Sequence, residues 1–133
     1  MPGMRMIAVD LWQTIEKRDV EGSETYEKRP HEKVLANFIR HTQEHFPDRV
    51  TIHRMDTVEA ARHVPDGTLD FVFIDADHTY EGCKRDIEAW LPKVRSGGMI
   101  SGHDYNWPSV RQAVDEAFPT VGLASDNVWY VGK

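Results

Sequence analysis

Asp75, Asp77 and His78 stand together where the apolar run Leu69-Asp-Phe-Val-Phe-Ile74 ends. His103 and Asp104 stand where a second run, Gly97-Gly-Met-Ile-Ser-Gly102, ends. Carboxylates and imidazoles are the side chains that carry protons near neutral pH and offer oxygen and nitrogen to cations. Short Val, Ile and Phe runs read as buried strands, and a parallel sheet buries both of its faces. An acid at the end of such a strand lies at the sheet's carboxyl edge, where open α/β sheets bind ligands. Two strands that deliver acids to one edge imply a site. Asp10 closes a third apolar run, residues 4–10.

The elements that must position these groups can be read in order. Residues 4–10 form a strand. Residues 11–29 are polar and irregular with Gly22 and Ser23 at their centre, a long loop of the kind that covers a site or stays disordered. Pro30 opens a helix over 31–46, with Val34, Leu35, Phe38, Ile39 and Phe46 on one apolar face. Residues 50–54 form a short strand, and Asp56-Thr-Val-Glu59 resembles a capping box for a short helix to His63. Residues 69–75 are the central strand. A helix over 81–94 turns Cys83, Ile87, Trp90, Leu91 and Val94 inward, and Pro92 bends or shortens its last turn. Residues 97–102 form a strand, and Pro108 starts a helix that buries Val110, Ala113, Val114 and Phe118. Residues 120–124 and 128–131 make an antiparallel hairpin around Ser125-Asp-Asn127. Strands alternating with helix-length crossovers predict a mostly parallel sheet with helices on both faces, made mixed by the final hairpin.

The chain has 133 residues, which suits a single domain spanning 1–133. Net charge is −6 and the basic residues are scattered, so there is no stripe for neutralising nucleic-acid phosphates. The lone Cys83 cannot form an intramolecular disulfide and reads as a small buried helix residue. No secretory signal and no apolar run of membrane-spanning length is present, so a soluble cytoplasmic protein is expected.

Four strings carry a resemblance: Phe73-Ile-Asp-Ala-Asp-His-Thr-Tyr-Glu-Gly82, Asp86-Ile-Glu-Ala-Trp-Leu-Pro92, Gly97-Gly-Met-Ile-Ser-Gly-His-Asp-Tyr105 and Val110-Arg-Gln-Ala-Val-Asp115. They resemble the class I S-adenosylmethionine-dependent methyltransferases, nearest the small-molecule and sugar O-methyltransferases with their metal-dependent relatives. The resemblance runs over residues 5–131 and is most specific over 70–105. It implies a Rossmann-like sheet ending in the antiparallel pair. It implies that Asp10 accepts hydrogen bonds from a cofactor's ribose hydroxyls, a task that suits a carboxylate; a solvated strand-end Asp reads as well. Asp56 and Thr57 follow the next strand, where the family reads adenine, and Asp56 equally suits a plain helix cap. Asp75 borders the cofactor too.

Asp75, His103 and Asp104 match the positions that hold a divalent cation in metal-dependent members. Mg²⁺ prefers oxygen, and His103 departs from that preference, which leaves a softer ion or none. Such an ion would orient an acceptor hydroxyl and lower its pKa. Asp75, Asp77 or His78 would act as general base. His78 also suits a helix cap, and His103 a satisfied loop histidine. Tyr80, Tyr105 and Trp107 follow these strand ends, as pocket walls or rim packing.

The family's Gly-x-Gly-x-Gly turn, which belongs before Asp10, has no counterpart: Gly3 is the only glycine there. The expectation is therefore a truncated class I fold without the first strand, glycine loop and first helix. The strands at 4–10 and 69–75 must then pair directly, leave a gap or take a strand from elsewhere. An unpaired apolar edge invites another chain, so a homodimer or strand exchange is expected. The leading function is O-methyl transfer to a small hydroxylated acceptor. The alternative is an inactive methyltransferase-like remnant kept as a binding or assembly module. A third, weaker reading is a metal-dependent hydrolase, because His41-Thr-Gln-Glu-His45 matches the His-x-x-Glu-His pattern of inverted zinc peptidases. Both histidines lie off the apolar stripe, as on a solvated helix face.

Overall fold

A computed structural model describes residues 3–13 and 31–133. Most of the 11–29 segment, and Pro30, expected to open a helix, lie outside the described residues. The chain divides into two compact units, Met1–Asp56 and Thr57–Lys133.

The first unit holds β1 (Met6–Asp10), α1 (His31–His45) and β2 (Val50–Arg54). β1 and β2 run parallel in register, with Met6 opposite Val50 and Asp10 opposite Arg54. Both strands therefore finish at the same edge. α1 keeps the expected position and the middle of the expected stripe, with Leu35 buried and Phe38 and Ile39 half-buried. Leu35 and Thr42 are its buried residues, while Val34 and Phe46 are exposed. Leu35 and Thr42 are seven apart, two helical turns on one face. Thr42 can enter because its hydroxyl donates to the Ile39 carbonyl at 2.9 Å, so no polar atom is stranded.

The second unit holds α2 (Thr57–Ala61), β3 (Leu69–Ile74), α3 (Tyr80–Trp90), a 3₁₀ turn (Leu91–Lys93), β4 (Val94–Gly102), α4 (Pro108–Ala117), β5 (Gly122–Leu123) and β6 (Trp129–Gly132). Its sheet has the order β3-β4-β6-β5. β3 and β4 are parallel, and β6 is antiparallel to both β4 and β5. The mostly parallel α/β architecture and the closing hairpin are thus as expected. Asp126 and Asn127 both take left-handed φ values, 58° and 61°. Two such residues make the tight hairpin turn whose twist matches its strands.

Pro92 ends α3 at Trp90, four residues early, as its ring and missing N–H require. Val94, expected in that helix, instead opens β4 opposite Leu69. The register then slips before Phe71 pairs with Met99. Gly97 (φ 75°) and Gly98 sit inside this irregularity rather than at a strand start. A Cβ on Gly98 would lie 2.7 Å from Val94 Cγ1 and 2.9 Å from the Asp70 carbonyl, so only glycine fits the bulge.

The core lies between the sheet and the α3–α4 pair. Val72, Ile74, Ile100 and Trp129 share one sheet face and are buried, with Cys83, Ile87 and Trp90 from α3 and Val110, Ala113 and Val114 from α4. Phe118, at the end of α4, meets Trp129 at a ring separation of 6.2 Å. The opposite face presents Phe71, Phe73, Met99 and Tyr130, all exposed. No helix among the described residues is long and apolar enough to cross a membrane.

Candidate active site

β3 and β4 end side by side, with Ile74 opposite Gly102 and the His103 amide donating to the Ile74 carbonyl at 3.1 Å. The next residues of each strand therefore share one edge. Asp104 then turns the chain with φ 58°, a left-handed conformation that Asp tolerates better than most residues. The turn is closed by the Trp107 amide donating to the Asp104 carbonyl at 2.9 Å.

This geometry brings Asp75, His78 and Asp104 together. One potential ligand atom from each lies within 4.8 Å of the others. His78 Nε2 is 2.5 Å from Asp104 Oδ2 and 3.6 Å from Asp75 Oδ1. His103 was expected as the imidazole of this set. It lies instead on the far oxygen of Asp104, Nδ1 to Oδ1 3.2 Å. Burial alone would lower the His103 pKa, but the charge and hydrogen bond of Asp104, the Asp75 charge and the Asp126 backbone outweigh it and hold it above the usual value.

His78 is fixed from behind. The Ser109 hydroxyl donates to its carbonyl at 2.6 Å, and the Trp107 ring lies 5.1 Å from the imidazole. Both residues flank the start of α4, where Pro108 sets the first turn. Trp107 was expected as a pocket wall or as rim packing, and Ser109 was not anticipated from the sequence. A serine in the first turn of a helix is ordinary and carries no sign of its partner.

Asp77 has a different setting. Its Oδ1 accepts the Thr79 amide at 2.9 Å, and Thr79 in turn caps α3 by accepting the Gly82 amide at 3.0 Å. A Cβ on Gly82 would lie 2.6 Å from the Asp77 Cβ. The carboxylate is thus seated in the strand-to-helix turn. Beneath it Cys83 is buried, and burial, then the charges of Asp86 and Asp77, push its thiol up to about 11. Tyr80 and Tyr105 are tied outward, their hydroxyls donating to Glu116 and to Asp115 (2.7 Å). The crevice lined by Asp75, Asp77, His78, Cys83 and His103 encloses about 10 Å³, room for a water or an ion.

Of the other expected residues, Thr57 begins α2, and its hydroxyl accepts the Trp90 indole N–H at 2.7 Å. Asp56 directly precedes that helix. In the first unit, Asp10 ends β1 and its Oδ1 accepts the Trp12 amide at 2.6 Å. His41 and His45 are exposed on α1 with ring centroids 4.4 Å apart, and Glu44 lies 3.7 Å from Arg40.

The chain is similar to known proteins in sequence and in fold. A family described as "Methyltransferase domain" matches residues 3–105. The uncharacterized protein y4gI of Sinorhizobium fredii is 29% identical over 98 residues, 73% of this chain and 10% of that protein. The fold is similar to the O-methyltransferase NovP, with TM-score 0.70, 20% identity, and coverage of 97% of this chain and 60% of that one. It is also similar to the calicheamicin methyltransferase CalS11, with TM-score 0.67, 15% identity, and coverage of 96% and 60%. The chain thus spans about 60% of these solved structures and a tenth of the curated relative. With the family match covering most of its length and the strand-end acids of β3 and β4 inside the match, the chain belongs to the methyltransferase-domain family and has the class I S-adenosylmethionine-dependent fold.

Proposed function

We propose that residues 1–133 act as one methyltransferase-like domain that moves a methyl group onto an oxygen of a small hydroxylated acceptor, in the cytoplasm and without nucleic acid. The observation that carries the reading is the meeting of Asp75, His78 and Asp104 at the shared carboxyl edge of β3 and β4. S-adenosylmethionine, when bound, supplies the methyl group on its sulfonium. Asp10 receives the ribose hydroxyls: one carboxylate oxygen is used by the Trp12 amide, and no described residue takes the other. Asp56 and Thr57 border the adenine, and Asp75 the reacting end.

The acceptor's proton passes to Asp75, whose side chain is 49% exposed and so reachable. His78 stands beside it, held by Asp104, and its imidazole N–H offsets charge on the carboxylates. Asp77 supports the turn that sets this spacing and serves as a second acceptor of the proton. Asp75, His78 and Asp104 also fit a divalent ion, with His103 beside Asp104. Two carboxylates and an imidazole suit Zn²⁺, a borderline ion, or Mn²⁺, which binds N/O sites more tightly than hard, strongly hydrated Mg²⁺. Such an ion would polarise the acceptor oxygen.

Calorimetric titration with S-adenosylhomocysteine tests the reading. Micromolar binding is expected, and silence at millimolar ligand would refute it. That silence would favour the second reading, an inactive binding or assembly module. An observation favours it independently: β3 is an edge strand of its sheet and exposes Phe71 and Phe73. The same surface makes a homodimer, with or without strand exchange, part of both readings. Light scattering that gives a clean monomer would remove it. A hydrolase at His41, Glu44 and His45 has less behind it, since Glu44 is paired with Arg40.

A further inference from the structure

Arg54 makes more of its guanidinium than an exposed arginine usually does. Its Nε donates to the Leu11 carbonyl at 3.2 Å and its Nη2 to the Trp12 carbonyl at 3.1 Å. Nη1 donates to Glu32 Oε2 at 3.2 Å, and Nη2 also pairs with Glu32 Oε1. Exposed ion pairs contribute little on average, but a two-pronged fork on a carboxylate is the exception, because it fixes direction as well as charge. The fork here joins three places: the chain just after β1, the first turn of α1, and the end of β2.

What Arg54 holds is an unfavourable turn. Trp12 has φ 44°, a left-handed conformation that a bulky residue adopts only when its surroundings enforce it. Three contacts with described residues enforce it. Arg54 takes the Trp12 carbonyl, Asp10 takes its amide, and its ring lies 5.7 Å from Phe38. The turn in turn sets the Asp10 side chain, through the 2.6 Å bond from the Trp12 amide. Arg54 faces Asp10 across the β1–β2 ladder and so is rooted in the same strand pair.

We propose that Arg54 is a positioning residue for ribose recognition: by clamping Leu11, Trp12 and Glu32 it holds the turn that presents the Asp10 carboxylate to the two ribose hydroxyls. The inference rests on the cofactor reading above. Arg54 touches no ligand in it and acts only through Asp10. Lysine cannot replace it, because a single ammonium cannot span two carbonyls and a carboxylate at once.

The test is calorimetry on the whole chain with adenosine and 2′,3′-dideoxyadenosine as paired probes. One charge-assisted hydrogen bond is worth roughly tenfold or more in affinity, so wild-type protein should prefer adenosine by about that factor. Arg54→Ala and Arg54→Lys should bring the two affinities close to equal, chiefly by weakening adenosine. A merely structural role would weaken both probes alike. Equal losses for both probes, or an undiminished preference in both variants, would overturn the inference while leaving the cofactor reading intact. Wild-type protein that binds neither nucleoside would overturn both. If Arg54→Ala does not fold, Arg54→Lys, which keeps the charge and the aliphatic stem, decides the question.

Discussion

Replacing Gly82 by alanine sets two physical effects against each other. Gly82 lies in the first turn of α3, and helix propensity alone says that alanine there should stabilise by about 0.5–1 kcal/mol. The packing says the opposite. The new methyl would lie 2.6 Å from Asp77 Cβ and closer still to its carboxylate, well inside any normal contact. Asp77 must leave its seat and lose the 2.9 Å bond from the Thr79 amide. Overfilling a packed site costs about 1–3 kcal/mol, and a charge-assisted hydrogen bond adds about 1 kcal/mol at this half-buried position. The net expectation is a destabilisation of about 1–3 kcal/mol. With a urea m-value of about 1–3 kcal/mol/M, the midpoint should fall by roughly 1 M, read by circular dichroism. The cause can be isolated by repeating the change in an Asp77→Gly background. There the clash is gone, and Gly82→Ala should turn neutral or stabilising. A stabilising Gly82→Ala in the wild-type background would refute the claim that Asp77 is seated against the helix.

Three further outcomes follow from the same geometry. Ile87→Ala, at the buried centre of α3, should cost about 2–5 kcal/mol in urea unfolding; a change under 1 kcal/mol would contradict the core described. Cys83 should resist thiol reagents at pH 8 until the protein unfolds. Its folded thiol titrates above its unfolded value, so its contribution to stability is complete below about pH 9 and is lost as pH rises toward about 11; a Cys83→Ala variant should show a shallower alkaline decline. Asp104→Asn should weaken Mn²⁺ binding at least tenfold by calorimetry while His103→Gln weakens it less, because His78 and not His103 shares the compact trio; the reverse order would favour His103 as the ligand.

The local code was legible wherever one element decided the outcome. Apolar strands ran into acids at Asp10, Asp75 and Asp104, the α4 stripe of Val110, Ala113 and Val114 was buried, and the closing hairpin turned at Asp126 and Asn127. Periodicity and turn chemistry act over a few residues, so they survive in the sequence alone. The family resemblance was legible for the same reason, since its most specific stretch is continuous. What the sequence could not rank was His78 against His103. Both are next to acids in the chain, and the choice rests on the left-handed turn at Asp104, which directs its Oδ2 toward His78. The start of β4 at Val94 also stayed hidden, because its pairing with Leu69 joins residues far apart in the chain. Arg54 is the clearest case. Its partners lie 43, 42 and 22 positions away, at Leu11, Trp12 and Glu32, and no short-range pattern marks an arginine that serves three segments at once. The sequence by itself determined which residues close the strands. The tertiary structure alone decided which of them meet, because side-chain direction at those ends is set by backbone turns and by contacts between distant segments.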